Sequence, residues 1–204
     1  MQRKGILYVI SGPSGAGKGT VLAEVFKKVK DLHFSVSATN RAPRANEIDG
    51  VNYHFITDEQ FDKLIEEDGL LEYVSKYGNR YGTVKSEVEK MIEECKDVVL
   101  EIETTGASNV KRMLKKRVVS IFIAPPSMAE LRARLEGRAS EGNSNRELRF
   151  NTSIHEMMCA YYYDYIVVND NLNDCVEKVV NIIEGERCKV KYNRHLIKEI
   201  LNKK

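Results

Sequence analysis

Runs of apolar residues, each bounded by turn residues, recur along the chain and predict its principal strands. Four of these runs show no alternation of apolar and polar positions: ILYVI (6–10), VVLEI (98–102), VVSIFIA (118–124) and YIVVN (165–169). Uninterrupted apolar runs are typical of strands that are buried on both faces, as in a parallel sheet. We therefore expect all four runs to belong to one central parallel sheet.

Segments with helical periodicity lie between the predicted strands. Three of them each place apolar residues on one helical face: Val21, Leu22, Val25, Phe26 and Val29; Val88, Met91, Ile92 and Cys95; and Val176, Val179, Val180 and Ile183. The sequence SMAE (127–130) predicts a capping box at the start of another helix. Strands that alternate with helices predict an α/β fold, in which helices flank a mostly parallel sheet.

Two segments interrupt this alternation. Residues 34–83 combine short alternating strands with the helical sequence DEQFDKLIEEDG, which predicts an inserted, partly antiparallel subdomain. Residues 137–145, GRASEGNSN, are polar and contain glycine, and the helical sequence NRELRFNTSIHEMM follows them. This composition is typical of a mobile lid.

Composition and charge limit the function classes. The 204 residues are 42% hydrophobic and 30% charged, which predicts one globular core. A net charge of +2 makes neither nucleic acid nor a membrane surface a leading partner. The first apolar run is too short for a signal peptide, so we expect a cytoplasmic protein. The four cysteines lack C-x-x-C spacing and the four histidines are scattered, which argues against a zinc cluster.

The stretch VISGPSGAGKGT, residues 9–20, joins the first predicted strand to a helix that we expect to begin near Lys18. Its spacing from Gly12 to Lys18 is G-x-x-x-x-G-K, a loop whose backbone N–H groups cradle phosphates. The residue after Lys18 is Gly19, so a hydroxyl for Mg²⁺ would come from Thr20. The sequence predicts an ATP-binding loop of Gly12, Pro13, Ser14, Gly15, Ala16, Gly17, Lys18, Gly19 and Thr20.

A phosphate loop alone does not distinguish a GTPase, an ATPase and a kinase. Four other stretches, ATNRAPRANEIDGVNYHF, GNRYGT, VVLEIETTGA and IFIAPPSMAELRARLEGR, together resemble guanylate kinases over roughly residues 5–190. The resemblance implies transfer of a phosphoryl group from ATP to GMP, with Mg²⁺ as cofactor. It also implies a single domain, 1–204, of the P-loop kinase fold: a core (1–35, 85–136 and 151–204), a GMP-binding insertion (36–84) and a lid (137–150).

Cationic and phenolic side chains are candidates for binding the acceptor phosphate. Arg41 and Arg44 flank Pro43 in R-A-P-R, so their guanidinium groups could converge on one dianion. The resemblance to guanylate kinases implies that Tyr53 and Tyr81 donate hydrogen bonds to the same phosphate.

The resemblance also implies residues that bind the guanine base. Glu72 would accept hydrogen bonds from the guanine N1–H and N2–H₂ groups and would repel the N1 acceptor of adenine. Ser37 and Thr83 would donate to O6. Glu103 would also face the base, although the family usually has Asp at this position in D-x-Q-G, where this chain has E-T-T-G.

Two further sets of residues are implied for the reacting phosphates. Glu101, at the carboxyl end of a predicted strand, matches the family's carboxylate near the metal, and such strand ends bind ligands in open α/β sheets. Arg138 and Arg149 match lid arginines, which would stabilise the charge that develops during phosphoryl transfer.

Two alternatives remain open from the sequence. One is a P-loop kinase for AMP, a pyrimidine monophosphate or a small alcohol. The other is a catalytically inactive guanylate-kinase-like module that binds proteins. The sequence also leaves open whether dGMP is a substrate and whether the protein is a monomer or a homodimer. The basic segment 187–204 predicts a solvated terminal helix.

Overall fold

The computed structural model describes residues 3–76, 78–136 and 143–203. Within these residues, five strands form one parallel sheet. They lie in the order Leu32–Phe34 (β2), Asp97–Glu101 (β7), Leu7–Ser11 (β1), Val118–Ala124 (β8) and Tyr165–Val168 (β9). The predicted central parallel sheet is confirmed. Strand β2 was not predicted because it is only three residues long and lies at the edge of the sheet.

Strand β1 occupies the centre of this sheet. Its residue Ile10 lies opposite Glu101 of β7 and Ile121 of β8. Because the strands are parallel, β1 and β7 end at the same edge of the sheet, where ligands bind in open α/β folds. The glycine-rich loop and the acidic residues of the E-I-E sequence therefore come together at this edge.

Strand β9 departs from its predicted burial. Val167 is 3% exposed, but Ile166 is 57% and Val168 is 44% exposed. The expectation that YIVVN is buried on both faces is wrong, because β9 is an edge strand with one open face.

Helices pack on both faces of the parallel sheet. The described helices are Lys18–Lys28 (α1), Asp58–Glu66 (α2), Lys85–Glu93 (α3), Thr104–Leu114 (α4), Met128–Glu136 (α5), Asn143–Met158 (α6), Leu172–Arg187 (α7) and Val190–Asn202 (α8). On one face, Val25 of α1 and Val179 of α7 pack in a cluster with Tyr8 and Ile121. On the other face, helices α3 and α4 contribute to a second apolar cluster.

The predicted insertion forms a second sheet of mixed direction. Its strands lie in the order His54–Phe55 (β4), Ala38–Thr39 (β3), Asn79–Val84 (β6) and Leu70–Lys76 (β5). The pair β3–β4 is parallel, whereas β3–β6 and β5–β6 are antiparallel. Leu71 of β5 belongs to the cluster that contains Ala107 and Val110 of α4, so helix α4 packs against both sheets.

The termini of several helices follow local sequence signals. Thr57 caps α2, with reciprocal hydrogen bonds between Thr57 and Gln60. At the predicted capping box of α5, the hydroxyl of Ser127 accepts from the N–H of Glu130 at 3.1 Å, whereas the Glu130 carboxylate accepts from Arg134. This box is therefore half formed.

The terminal helix α8 has no buried residue, as expected for a solvated segment. None of the helices within the described ranges combines the length and the apolar character that crossing a bilayer requires.

Candidate active site

The loop between β1 and α1 has a geometry that only glycine tolerates at key positions. Gly17, which precedes the first residue of α1, has φ of +86°, in the left-handed region. A Cβ at Gly12 would lie 2.1 Å from the carbonyl oxygen of Ile123 in β8. These two glycines let the chain turn sharply beside the neighbouring strand. The predicted helix start at Lys18 is confirmed.

The side chain of Lys18 folds back over this loop. Its Nζ donates to the carbonyl oxygens of Gly12 at 2.7 Å and Pro13 at 3.2 Å. The amide of Asn169, just after β9, donates to the carbonyl oxygen of Ala16 at 2.8 Å and braces the loop from the opposite side. Sequence analysis missed Asn169, since nothing local marks a residue that acts 153 positions away.

A cleft of about 450 Å³ lies at the edge of the parallel sheet and extends to the second sheet. Its lining brings together eleven of the predicted site residues: Gly12, Ser14, Lys18, Ser37, Arg41, Arg44, Tyr53, Glu72, Tyr81, Glu101 and Glu103. These residues come from the glycine-rich loop, the inserted subdomain and the end of β7. Residues that are distant in sequence therefore share one cavity.

Arg41 lies among aromatic side chains in this cleft. Its guanidinium carbon is 5.6 Å from the ring centroid of Tyr53 and 5.8 Å from that of Phe55. The rings of Tyr53 and Tyr81 pack edge to face, with centroids 5.8 Å apart. Burial is the main cause that raises the pKa of Tyr53, so its phenol stays protonated and able to donate a hydrogen bond.

Glu47 also belongs to this cluster, although sequence analysis did not predict it. Its two carboxylate oxygens each lie 2.9 Å from Nη2 of Arg41, and one accepts from the backbone N–H of Arg44 at 2.8 Å. The pKa of Glu47 is lowered, chiefly by the hydrogen bond from the Arg44 backbone, which outweighs the opposing effect of burial. The carboxylate is therefore held ionised. The spacing of Arg44 and Glu47 offered a signal in the sequence, because a carboxylate three residues after Arg44 can accept a hydrogen bond from the Arg44 backbone and cap the turn.

Glu72 is a buried carboxylate at one end of the cleft. Only 6% of the residue is exposed, and Oε1 accepts from the Thr83 hydroxyl at 2.8 Å. The pKa of Glu72 is raised to about 6. Burial is the largest cause, the hydrogen bond from Thr83 opposes it, and the charge of Glu103 contributes to the rise. Thr83 itself is buried behind Glu72 and does not line the cleft.

Two acidic residues lie at the carboxyl end of strand β7. Glu101 ends the strand, and burial raises its pKa while the nearby positive charge of Lys18 lowers it. Glu103 occupies the position before the first residue of α4, with extended backbone and no side-chain cap. Both line the cleft, and the charge of Glu103 acts on Glu72.

Thr20 does not line the cleft, and the two predicted lid arginines fall wholly or partly outside the described residues. Thr20 is exposed in the first turn of α1, two residues after Lys18. Arg138, like residues 137–142 as a whole, lies outside the described residues. The backbone of Arg149 lies in α6, but its side chain is also outside the description.

Glu156 is a second cleft residue that sequence analysis missed. It lies on α6, and its Oε2 accepts from the backbone N–H of Ser14 at 3.3 Å. A carboxylate therefore contacts an N–H of the predicted phosphate loop. The sequence carries no local signal for this contact, because the two residues are 142 positions apart.

Comparisons with known proteins agree with this geometry. A family model described as guanylate kinase matches residues 4–186. The chain is 50% identical over 187 residues to a guanylate kinase of Clostridium perfringens, with coverage of 92% of this chain and 86% of that protein. It is 46% identical over 200 residues to a guanylate kinase of Caldanaerobacter subterraneus, with coverage of 98% and 97%.

Solved structures give the same result. The crystal structure of guanylate kinase from Anaplasma phagocytophilum matches with a TM-score of 0.78 and 28% identity, over 100% of this chain and 99% of that one. The structure of TT1252 from Thermus thermophilus, at 14% identity and a TM-score of 0.51, covers 92% of this chain and 100% of that one, and shows likeness of fold alone. The resemblance that the sequence motifs indicated is confirmed, and the chain belongs to the guanylate kinase family.

Proposed function

We propose that this protein transfers the γ-phosphoryl group of ATP to the phosphate of GMP and forms ADP and GDP. An oxygen of the GMP phosphate attacks the γ-phosphorus as the bond to the ADP oxygen breaks. The observation that carries this proposal is the buried carboxylate of Glu72, which shares one cleft with the phosphate loop and with Arg41. An acidic group buried at the acceptor end of a kinase cleft suits a base that presents hydrogen-bond donors.

Guanine fits this end of the cleft better than the other common bases. Its N1–H and N2–H₂ groups are adjacent donors, and an ionised Glu72 can accept from both. Adenine has an acceptor at N1, which the carboxylate repels. Thr83 supports this role because its hydrogen bond to Oε1 fixes the orientation of the Glu72 carboxylate. Ser37 and Glu103, which line the same cleft, are the further candidates to contact guanine.

The acceptor phosphate is assigned to the cluster of Arg41, Arg44, Tyr53 and Tyr81. Two guanidinium groups and two phenols can supply the donors that a phosphate dianion needs. The contacts of the Tyr53 ring with the Tyr81 ring and with the Arg41 guanidinium group support this assignment, because they hold the three side chains together in the cleft.

The donor triphosphate is assigned to the loop from Gly12 to Thr20, with Lys18 at the β- and γ-phosphates. Phosphate oxygens are better partners for the Lys18 ammonium group than the carbonyl oxygens that it contacts here. Mg²⁺ would neutralise charge on these phosphates. The oxygen donors of Glu101 and Thr20 suit this hard cation, whose charge would oppose the burial that raises the pKa of Glu101.

Arg138 and Arg149 are proposed to stabilise the transferring group, by resemblance to lid arginines of the family. Together with residues 137–150 they would close over the nucleotides and exclude water. We also propose the division into a core (1–35, 85–136 and 151–204), a GMP-binding insertion (36–84) and a lid. The cytoplasm, where ATP and GMP are available, is the proposed location.

A screen of acceptors tests the function. The full chain is mixed with Mg-ATP and, in turn, GMP, dGMP, AMP, CMP and UMP, and the release of ADP is followed. We expect rapid release with GMP and far slower release with AMP, CMP and UMP. Rapid release with another acceptor would favour a different nucleotide kinase, and no release with any acceptor would favour a protein-binding module.

A further inference from the structure

Gly106 lies in the first turn of α4, yet its backbone does not require glycine. Its φ is not among the positive values, and glycine in a helix is less favourable than alanine. The atoms that surround Gly106, and not its backbone conformation, therefore explain why glycine occupies this position.

That space is filled by the carboxylate of Glu72. A Cβ at Gly106 would lie 2.2 Å from Oε2 and 2.9 Å from Cδ of Glu72. Both distances are below 3.0 Å, a separation that real Cβ atoms essentially never show. The α-carbon of Gly106 thus forms one wall of the position that the Glu72 carboxylate occupies.

The opposite side of the carboxylate is fixed as well. The Thr83 hydroxyl, on β6, donates to Oε1 at 2.8 Å, and both residues are buried. The carboxylate is confined between β6, which belongs to the second sheet, and α4, which packs against both sheets. An added methyl group would therefore push the carboxylate away from the position in which it accepts the hydrogen bond from Thr83.

We infer that Gly106 is a specificity-determining positioning residue: its missing side chain lets Glu72 hold its carboxylate where guanine is recognised. This inference rests on the proposed function, since it gives Glu72 the task of binding the base. Gly106 touches no reacting atom and acts through Glu72 alone. It therefore affects the choice of acceptor and leaves the ATP site unchanged.

The test compares Gly106→Ala with Gly185→Ala. Gly185 also lies inside a helix, α7, but a Cβ there would meet nothing within 4 Å. We expect Gly106→Ala to lower kcat/KM for GMP at least 10-fold, to reduce the preference for GMP over AMP, and to leave the KM for ATP unchanged. Gly185→Ala should match the wild type in all three quantities. A purely structural role for Gly106 would leave the preference for GMP over AMP intact.

A second pair of variants covers the case in which Gly106→Ala folds poorly. Glu72→Ala removes the side chain that the new methyl group would meet. In that background, Gly106→Ala should no longer lower the melting temperature. Equal destabilisation in both backgrounds would overturn the inference, because the methyl group would then clash with something other than Glu72.

The outcomes separate this inference from the proposed function. If the wild-type protein does not phosphorylate GMP, the proposed function fails. If the wild type does so and Gly106→Ala keeps the wild-type kcat/KM and preference, the function stands and the role of Gly106 is refuted.

Discussion

Glu47 and Arg41 form a two-oxygen contact in which both carboxylate oxygens lie 2.9 Å from one guanidinium nitrogen. The side chains are only 16% and 15% exposed. Because Glu47 also accepts from the backbone N–H of Arg44, one carboxylate organises both arginines that are assigned to the acceptor phosphate. This arrangement prepares the cluster before the substrate arrives.

Glu47→Gln should weaken GMP binding. The neutral amide makes weaker hydrogen bonds to a guanidinium group than the carboxylate does, so Arg41 loses its fixed orientation. We expect the KM for GMP to rise about 10-fold, which corresponds to the loss of one charge-assisted contact, with little change in kcat. Steady-state kinetics with varied GMP and saturating ATP measure both constants.

A matched control for this variant is Glu87→Gln. Glu87 also pairs with a basic side chain, His54, at 3.2 Å, but it does not line the cleft. Its kinetics should stay at the wild-type values. A lower KM for GMP in Glu47→Gln would contradict the positioning role and would indicate that the carboxylate repels the substrate phosphate.

Lys18→Met should abolish phosphoryl transfer and leave the fold intact. Lys18 is half-buried and its ammonium group donates to carbonyl oxygens of the phosphate loop, so the apolar core does not depend on its charge. Loss of its charge should lower kcat by a factor on the order of 10³ or more. Circular dichroism provides the control for folding, and near-normal turnover would refute the role assigned to the loop.

Much of the fold could be predicted because its signals are local. The uninterrupted apolar runs identified β1, β7, β8 and β9, and the spacing from Gly12 to Lys18 located the loop and the start of α1. The edge position of β9 was not predictable in this way. Whether a neighbour covers Ile166 is a property of the tertiary arrangement and not of the run YIVVN.

The site was predictable only in part. Motifs identified Lys18 and Arg41, but they missed Glu47, Glu156 and Asn169, whose roles depend on contacts across the fold. Thr83 stays a predicted contact to guanine, and the structure adds a hydrogen bond from its hydroxyl to Glu72 that no motif indicated. A motif specifies which residue types recur, but it does not specify which of them face the ligand.

Arg138 and Arg149 should act mainly on kcat. Negative charge on the transferring group grows towards the transition state, so a cation that stabilises it contributes little to ground-state binding. Substitution of either residue by Ala should lower kcat by roughly 10²-fold. The affinity for GMP, measured by calorimetry, should change much less. If only the KM for GMP rose, both residues would be binding residues and the proposed role of the lid would be wrong.

Glu72→Leu tests the choice of base directly. Leucine removes both carboxylate oxygens, and a hydrogen bond to a charged group contributes about 1.5–3 kcal/mol. Loss of two such bonds should lower kcat/KM for GMP by at least about 10²-fold. The ratio of GMP to AMP efficiencies should also shrink, since the repulsion of adenine N1 disappears. ATP affinity is the control, and an unchanged ratio would show that Glu72 does not select the base.

Acidic pH should impair the use of GMP through the same residue. The pKa of Glu72 is raised to about 6 in the free protein, so protonation below pH 6 removes the acceptor for guanine N1–H. The second pKa of a phosphate monoester is also about 6. The wild-type kcat/KM for GMP should therefore fall more steeply below pH 6 than that of Glu72→Gln, in which residue 72 no longer titrates. Parallel profiles would contradict this assignment.

The stability of the free protein should depend on pH in the opposite sense. Burial raises the pKa of Glu72 from 4.5 in the unfolded chain to about 6, so the folded state binds the proton more tightly. Above pH 6 the buried carboxylate is ionised, and this lowers the free energy of unfolding by about 2 kcal/mol. The loss of stability disappears as the pH falls from 6 to 4.5, because the carboxyl group becomes protonated. Glu72→Gln carries no such charge. It should therefore be more stable than the wild type at pH 7 and equal to it near pH 4.5, as measured by urea unfolding of both proteins across this range. A difference that is the same at both pH values would show that Glu72 does not titrate in this window.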